Sequence, residues 1–317
     1  MNRDIKPVPR ISVVVPIYGC IDCLEQLCRQ LETTLTSLTN QFEIILVDDR
    51  SPDNSWSKLP ALQVQYPSVK GIRLSRNYGQ HIAITAGLAA ARGDYAVVMD
   101  CDLQDPPSLI PELFAKLQEG YDLVLARRVE RNHSAFRLFT ARAYFKLVSS
   151  LTDEDVDGSY GSFSILSRKV IDSFLLFEEK ERHYLFILRW LGFGIGSVEY
   201  VHQERLAGQS SYTLGRLLRH AMNGILFQAS VLLRCIVGLG FVFALAGLAT
   251  AAYLLWREIF HTALPGWTSL AVLILVCTGT ILISLGIIGL YVGKVFDQAK
   301  QRPLYVVDLV KEGMQSW

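Results

Sequence analysis

The sequence has no surplus of charge of either sign. Its 317 residues include 31 Lys and Arg against 30 Asp and Glu, which gives a formal net charge of +1 at pH 7. A general nucleic-acid-binding protein needs a basic surplus to meet the phosphate backbone. We therefore expect no nucleic acid among the partners of this chain.

Charge is also absent from two long segments near the C-terminus. Cys235–Trp256 and Thr268–Gly293 contain no Asp, Glu, Lys or Arg. At about 1.5 Å per residue, a helix over either segment is long enough to cross a hydrocarbon core of about 30 Å. Uncharged runs of this length are uncommon in the buried helices of soluble proteins. We therefore predict two transmembrane helices within residues 231–293, joined by Arg257–Trp267.

Basic residues flank both predicted spans and indicate their orientation. These residues are Arg216, Arg219, Arg234, Lys294, Lys300 and Arg302. Because cations collect on the cytoplasmic side, we expect both termini and the N-terminal region in the cytoplasm, at the inner (plasma) membrane. The apolar run Ile11–Val15 is too short for the core of a signal peptide, which agrees with this orientation.

Cysteine is scarce, with six residues in the chain. In a mainly cytoplasmic protein this indicates reduced thiols rather than a disulfide framework. Cys20 and Cys23 have the spacing of a redox pair, at a place where a strand is expected to lead into a helix. A zinc site would need two more ligands nearby, and only Cys28 is available. We favour incidental spacing over a redox or metal function.

Residues 11–125 alternate between short apolar runs and segments with helical spacing. The runs that predict strands are Ile11–Val15, Glu43–Val47, Lys70–Leu74, Tyr95–Met99 and Leu123–Ala126. Cys23–Leu38 and Ile82–Ala91 are two of the segments that predict helices. The alternation predicts an α/β fold, a mostly parallel sheet with helices on both faces. In such a sheet, ligands bind beyond the carboxyl ends of the strands.

Four parts of the chain follow from these patterns. We predict a globular domain over 1–212, an amphipathic juxtamembrane helix over 213–230, the two spans over 231–293, and a cytoplasmic tail over 294–317. The tail either packs on the globular domain or remains mobile. A further amphipathic stretch, Ser134–Ser150, mixes basic and aromatic residues and lies either at the membrane interface or against the core.

Two carboxylates and an amide follow the predicted strand Tyr95–Met99. They belong to Asp100, Asp102 and Gln104. These hard oxygen ligands suit Mg²⁺ or Mn²⁺, which bind through one or two carboxylates together with substrate phosphates. The alternative is that the acidic pair only forms a turn. A metal here would indicate chemistry on a substrate that carries phosphate.

Several motifs, in their order along the chain, resemble those of family-2 glycosyltransferases. They are Val13–Tyr18, Leu46–Ser51, Arg76–Gly79, Asp100–Pro107 and Arg205–Ser210. Together with the two C-terminal spans, they are similar to the polyprenyl-phosphate glycosyltransferases, the group that contains dolichol-phosphate mannosyltransferase and bactoprenol glucosyltransferase. The resemblance covers nearly the whole chain and implies that the globular domain has the GT-A fold.

The resemblance implies a role for each motif residue. Pro16, Tyr18, Asp48 and Asp49 would bind the nucleotide, with Asp49 accepting hydrogen bonds from base N–H groups or sugar hydroxyls. Cys101 would lie in the same donor site.

The acidic motif would serve the metal and the donor. Asp102 and Gln104 would be direct metal ligands, whereas Asp100 would contact the ribose or reach the ion through water. The ion would bridge the diphosphate of the donor.

The acceptor of this family is a lipid phosphate, which is already anionic and needs no general base. Arg128 and Arg205, with Arg137 or Arg142 as a further candidate, would clamp that phosphate with the forked geometry of guanidinium. Asp157 would orient the acceptor or a sugar hydroxyl, or else it is a turn residue before Gly158.

The resemblance implies an inverting transfer of a hexose to undecaprenyl phosphate, in one displacement. The leading donor is UDP-glucose, followed by another UDP-hexose, a UDP-amino sugar or GDP-mannose. A separate flippase would move the product, and a homo-oligomer is possible by the same resemblance. The rival hypotheses are a catalytically silent membrane scaffold and a thiol oxidoreductase that uses Cys20 and Cys23.

Three positions depart from the family pattern. Cys20 stands where many relatives have Glu, Ser164 where Arg is frequent, and Ser211 where Lys is usual. The last two changes remove potential phosphate contacts. We therefore expect phosphate binding to be arranged differently in this chain.

Overall fold

A computed structural model describes residues 8–129, 159–180, 182–201 and 267–313, with single helical positions between 242 and 256. The chain divides into two compact units. The first runs over 1–145, 157–210 and 303–317, and the second contains 211–302 with 146–156. Several predicted features lie outside the described residues: Asp157, Arg205, Ser211, the stretch Ser134–Ser150, the helix over 213–230 and most of the first span.

The first unit is built on a sheet of eight strands, in the spatial order β7-β5-β6-β4-β1-β2-β3-β8. The strands are β1 Ile11–Ile17, β2 Phe42–Asp48, β3 Val69–Leu74, β4 Tyr95–Val98, β5 Leu123–Arg128, β6 Tyr160–Ser167, β7 Ile195–Tyr200 and β8 Val307–Lys311. β1 and β2 are buried along their whole length, as expected for central strands that are covered on both faces.

Most neighbouring strands in this sheet run parallel. β1 pairs in parallel with β2 and β4, β2 with β3, and β5 with β7. β6 runs antiparallel between β4 and β5, and β8 runs antiparallel to β3. The predicted mostly parallel sheet is therefore confirmed, and each of the five predicted strands is present.

Helices cover both faces of the sheet. They are α1 Leu24–Thr36, α2 Leu59–Gln65, α3 Gln80–Ala90, α4 Ile110–Leu117, α5 Arg168–Leu175 and α6 Tyr184–Trp190. Side chains of α1 and α4 pack with Val13 and Val15 in one apolar core, whereas side chains of α3 and α5 pack with Val14 in the other. Successive side chains of β1 thus belong alternately to the two cores, because successive side chains of a strand point to opposite faces of the sheet.

The C-terminal tail packs on the first unit, which is one of the two alternatives that the sequence left open. β8 pairs with β3 in the register Gly71↔Lys311. The buried amide of Gln63 donates hydrogen bonds to the carbonyls of Lys311 and Glu312, at 3.1 and 2.9 Å. These contacts hold β8, which lies near the C-terminus, against β3 and α2 of the first unit.

The second unit contains α7, a continuous helix of 33 residues over Trp267–Ala299. A search of the described residues finds no helix that is both long and apolar enough to span a bilayer. The two-helix hairpin over 231–293 is therefore not confirmed, and it stays a prediction.

Candidate active site

The candidate site lies at the carboxyl edge of the sheet, by which we mean the segments 18–19, 48–51, 75–79 and 99–104 that follow β1 to β4. Because these four strands are parallel neighbours, their C-terminal ends come together. The antiparallel strand β6 starts at the same edge and adds Tyr160–Ser162. The structure thus brings together the predicted nucleotide and metal motifs.

Asp100 is held by two side-chain hydrogen bonds to one of its oxygens. Its Oδ1 accepts hydrogen bonds from Gln80 Nε2 at 2.6 Å and from Ser162 Oγ at 2.7 Å. Burial and the nearby Asp105 raise the pKa of Asp100 to about 6, although the hydrogen bond from Ser162 opposes this. The sequence predicted Asp100 but neither of its two donors.

Asp102 and Gln104 share a tight turn after β4. Asp102 Oδ1 accepts a hydrogen bond from the backbone N–H of Gln104 at 3.2 Å, and Leu103 between them has a φ of +62°. This local hydrogen bond is typical of aspartate in turns. The turn alternative therefore describes the local geometry, but it leaves the metal hypothesis open, because carboxylate oxygens accept more than one partner.

The donor atoms of this segment fit a hard divalent cation. In the part of the chain that the structure describes, no group of three or more His, Cys, Asp or Glu is arranged to hold a metal ion. Mg²⁺ needs only one or two carboxylates when substrate phosphates complete its shell. Asp102, Gln104 and Asp100 are the residues that would hold such an ion.

Arg128 supplies positive charge at the C-terminal end of β5. Its Nε donates to the hydroxyl of Tyr200 at 3.0 Å, and its Nη2 lies 3.5 Å from Oδ1 of Asp105. Tyr200 also donates to the fully buried Asp105. Burial lowers the pKa of Arg128, but Asp105 and Tyr200 raise it by more. The guanidinium therefore remains charged and is held in one orientation.

Gly161 makes room for this guanidinium. A Cβ atom at Gly161 would lie only 2.6 Å from Nη2 of Arg128. Arg128 therefore lies across the start of β6, where a side chain at position 161 would displace it. No local sequence pattern predicts this contact, because β5 and β6 are joined through more than thirty intervening residues.

Of the predicted nucleotide residues, Pro16 lies within β1 and Asp48 is the last residue of β2, whereas Tyr18 and Asp49 lie on the loops that follow these strands. Tyr18 is 55% exposed and precedes Gly19, which has a φ of +72°. Asp48 Oδ1 accepts the N–H of Ser51 at 2.9 Å. Tyr18 therefore has an accessible aromatic ring, whereas Asp48 stabilises the turn that follows β2.

Asp49 is buried, and both of its carboxylate oxygens accept backbone hydrogen bonds. The donors are the N–H groups of Tyr78, at 2.7 Å, and Gly79, at 2.8 Å. Burial raises the pKa of Asp49, and these two bonds oppose that shift. Asp49 thus fixes the loop that precedes α3, a role that the sequence did not suggest. Its predicted contact with the nucleotide stays a prediction.

The prediction of reduced thiols is wrong for Cys20 and Cys101, which form a disulfide. The bridge joins the loop after β1 to the acidic motif after β4. The partner of Cys20 is therefore not Cys23, which is buried with a free thiol. Spacing along the sequence could not show this pairing, because it depends on the two strands being neighbours in the sheet. The thiol-oxidoreductase hypothesis loses its proposed pair of thiols.

Ser164, where Arg is frequent in the family, is buried beneath the site. Its hydroxyl lies 2.8 Å from the hydroxyl of Tyr184 and donates to the carbonyl of Ser162 at 2.9 Å. A neutral hydrogen-bonded pair thus occupies this position in the core. Ser164 carries no charge that could pair with a phosphate, and the expectation that phosphate binding is arranged differently in this chain stays a prediction.

Comparison with known proteins agrees with these motifs. The family described as Glycosyl transferase family 2 matches residues 12–175. The uncharacterized glycosyltransferase YkcC of Bacillus subtilis is 37% identical over 97% of this chain and 94% of its own length. The prophage bactoprenol glucosyl transferase homolog of Escherichia coli K12 is 32% identical over 96% of this chain and 100% of its own.

Solved structures show the same fold at lower identity. Glucosyl-3-phosphoglycerate synthase of Mycobacterium tuberculosis, crystallised with Mn²⁺, uridine diphosphate and phosphoglyceric acid, is 20% identical, with a TM-score of 0.51 over 70% of this chain and 79% of its own. This likeness assigns a GT-A-like fold. The family match over half of the chain and the relatives along nearly all of it show that this protein belongs to glycosyl transferase family 2.

Proposed function

We propose that the protein transfers glucose from UDP-glucose to a polyprenyl phosphate, with inversion, at the cytoplasmic face of the inner membrane. One observation carries the proposal: Asp100 and Arg128 both lie against the start of β6 at the carboxyl edge of the sheet, where Ser162 donates a hydrogen bond to Asp100 and Gly161 makes room for Arg128. The relative from Escherichia coli that is named for bactoprenol glucosyl transfer supports the choice of acceptor and sugar.

The charges of the site suit a reaction between two phosphate-bearing substrates. A phosphate monoester is already an anion at neutral pH, so the acceptor needs no general base to become a nucleophile. Arg128 is held in a fixed orientation and can bind such an oxyanion with its forked guanidinium. Binding and alignment of the two substrates are then the main tasks of the protein.

The acidic segment would serve the leaving group. Asp102 and Gln104, with Asp100 beside them, would hold a divalent cation between the protein and the donor diphosphate. When bound there, Mg²⁺ or Mn²⁺ would supply positive charge for the departing nucleoside diphosphate. Tyr18 and the loop after β2 would bind the nucleotide beside it.

We also propose that the uncharged segments within 231–293 attach the enzyme to the membrane. Large apolar side chains are exposed on the described part of α7, among them Leu270, Ile274, Ile281, Leu285 and Leu290. Exposed apolar surface of this kind favours contact with lipid or another apolar partner. Membrane attachment would bring the site to the level of a polyprenyl phosphate head group, and a separate flippase would then move the product.

A panel of labelled nucleotide sugars tests the proposal. Full-length enzyme is incubated with undecaprenyl phosphate and Mn²⁺ or Mg²⁺, and lipid-linked product is counted. We expect product from UDP-glucose and a loss of at least about a hundredfold for Asp102→Asn, since the charge that holds the cation is removed. Asp172→Asn, at an exposed position of α5, is the control and should retain activity.

Three outcomes would contradict the proposal. Product from GDP-mannose or a UDP-amino sugar alone would overturn the choice of donor. Product that survives both a chelator and Asp102→Asn would overturn the role of the cation. No product from any donor, with no metal-dependent binding of a nucleotide sugar, would favour a silent scaffold.

A further inference from the structure

One oxygen of Asp100 accepts hydrogen bonds from two side chains that are far apart in the sequence. Gln80 Nε2 lies 2.6 Å and Ser162 Oγ 2.7 Å from Oδ1. Hydrogen bonds to a charged acceptor are among the stronger ones in proteins. Two donors on one oxygen fix the plane of the carboxylate and leave Oδ2 available to a ligand.

The pairing of β6 with β4 places Ser162 beside Asp100. β6 pairs with β4 in the antiparallel register Val98↔Ser164. Continuing that register by two residues along each strand places Ser162 opposite Asp100. The hydroxyl therefore reaches the carboxylate as a cross-strand neighbour, at a distance set by backbone pairing rather than by a flexible loop.

Gln80 lies beside Asp100 because of where α3 begins. Gly79, with a φ of +97°, precedes the helix, and Gln80 is its first residue. The N–H groups of Tyr78 and Gly79 are bound by the buried carboxylate of Asp49. Asp49 thus fixes the loop that leads into α3, and Gln80, the first residue of α3, donates a hydrogen bond to Asp100. The predicted nucleotide motif is therefore connected to the predicted metal motif through the start of α3.

We propose that Gln80 and Ser162 are positioning residues for the donor site. They hold Oδ1 of Asp100 so that Oδ2 faces the nucleoside diphosphate or its cation, while Asp102 and Gln104 supply the direct ligands. This inference rests on the proposed function. In this inference Asp100 contacts the donor in an orientation that the amide of Gln80 and the hydroxyl of Ser162 set.

The test compares full-length variants by two measurements. Binding of UDP in the presence of Mn²⁺ is measured by calorimetry, and kcat and KM are measured with UDP-glucose and undecaprenyl phosphate. We expect Gln80→Ala and Ser162→Ala each to weaken binding of UDP with Mn²⁺ and to lower kcat by about tenfold. The KM for undecaprenyl phosphate should stay unchanged, because Asp100 does not bind the acceptor.

Two further variants separate positioning from a structural role. Ser162→Thr keeps the hydroxyl and should restore most of the binding and of kcat. The double variant Gln80→Ala with Ser162→Ala should lose less than the product of the two single losses, since either change alone already frees the same carboxylate.

Two control variants change residues of the same types that do not contact Asp100. Ser167→Ala lies on the same strand, and its buried hydroxyl has no hydrogen-bond partner among the described residues. Gln65→Ala removes an exposed glutamine at the end of α2. Both should keep the wild-type affinity for UDP with Mn²⁺ and the wild-type kcat.

The results distinguish the two proposals. If the wild type binds UDP with Mn²⁺ and transfers glucose, but Gln80→Ala and Ser162→Ala do so equally well, the positioning inference is wrong and the function stands. Equal losses in Ser162→Thr and Ser162→Ala, or in Ser167→Ala, would also contradict it. If the wild type shows neither binding nor transfer, the proposed function itself fails and the inference fails with it.

Discussion

Arg128 shows how much of this site depends on single contacts. Its guanidinium is oriented by Tyr200 and Asp105, and it has room to lie where it does because position 161 is glycine. Asp105 is fully buried, so its negative charge is poorly screened by water. The cation is therefore part of a fixed network rather than a mobile surface charge.

Gly161→Ala should displace Arg128 without unfolding the protein. The new Cβ would lie 2.6 Å from Nη2, which is the far end of a long side chain that can move. We expect kcat to fall by about tenfold, since a misplaced charge stabilises the transition state less well. The melting temperature should change little. Activity and thermal unfolding are measured on the same full-length preparation.

Gly194→Ala is the matched control for this prediction. A Cβ atom at that position would meet Asp122 Oδ2 at 3.7 Å, an ordinary contact distance. This variant should keep full activity. Equal activity of Gly161→Ala and the wild type would show that Arg128 does not need its observed orientation.

His183 should make stability depend on pH below neutrality. Burial lowers the pKa of His183 to about 4, with a smaller contribution from Arg189. Its ring stacks on Phe186 and also lies near His81. The unfolded chain binds a proton near pH 6.5 whereas the folded chain does not, so stability is retained above pH 6.5 and falls towards pH 4. The loss should reach up to about 3 kcal/mol.

Thermal unfolding between pH 7 and pH 4.5 measures this effect. His183→Phe keeps an aromatic ring on Phe186 but cannot be protonated, so its melting temperature should fall less over that interval. If the melting temperatures of the wild type and the variant fall equally between pH 7 and pH 4.5, His183 is not the cause of the pH dependence.

At the scale of secondary structure, the central strands could be predicted because they are covered on both faces. β1 and β2 are buried throughout, so their sequences are mostly apolar, with Glu43 and Asp48 of β2 as the charged residues. β7 alternates between exposed and buried residues, and β8 is mostly exposed, so neither forms such a run. The edge strands were missed for that reason.

The site was predictable only where local sequence decides the geometry. An acidic pair directly after a buried strand is visible in the sequence, and Asp100 and Asp102 lie at the carboxyl edge as expected. Gln80, Ser162 and Tyr200 become neighbours of site residues through sheet pairing and helix placement. Those contacts depend on tertiary structure, for which one sequence carries no local signal.

The disulfide between Cys20 and Cys101 links two of these elements and should stabilise the first unit. It closes a loop between residues 81 positions apart. Chain entropy alone predicts a contribution of about 4 kcal/mol for a loop of this length. Reduction, or Cys101→Ser, should therefore lower the melting temperature. Cys23→Ser removes a free thiol and is the control.

Thiol counting shows whether the bond is present in the purified protein. The chain has six cysteines, so denatured protein should bind two fewer maleimide labels before reduction than after it. In the cytoplasm, where the proposed function places the globular domain, the reduced pair is favoured, so cells lysed in a thiol-trapping reagent should contain more of the open form. Equal labelling before and after reduction of the purified protein would contradict the bridge.

For the whole molecule, the family is established along nearly the full chain and the GT-A-like fold over about 70% of it, whereas the membrane hairpin is a prediction from two uncharged segments. Cys277 lies within the second of these segments and is exposed on α7. A thiol that contacts lipid is inaccessible to a water-soluble maleimide. The same thiol becomes accessible once detergent and denaturant remove the bilayer.

Labelling of Cys277 in sealed membrane vesicles therefore tests the architecture. We expect no reaction with a water-soluble maleimide in vesicles of either orientation, and full reaction after denaturation. Lys300→Cys, beyond the predicted span, should react in inside-out vesicles only, because the positive flank is expected in the cytoplasm. Rapid labelling of Cys277 in intact vesicles would place α7 in water, and the chain would then have to reach its lipid acceptor by another surface.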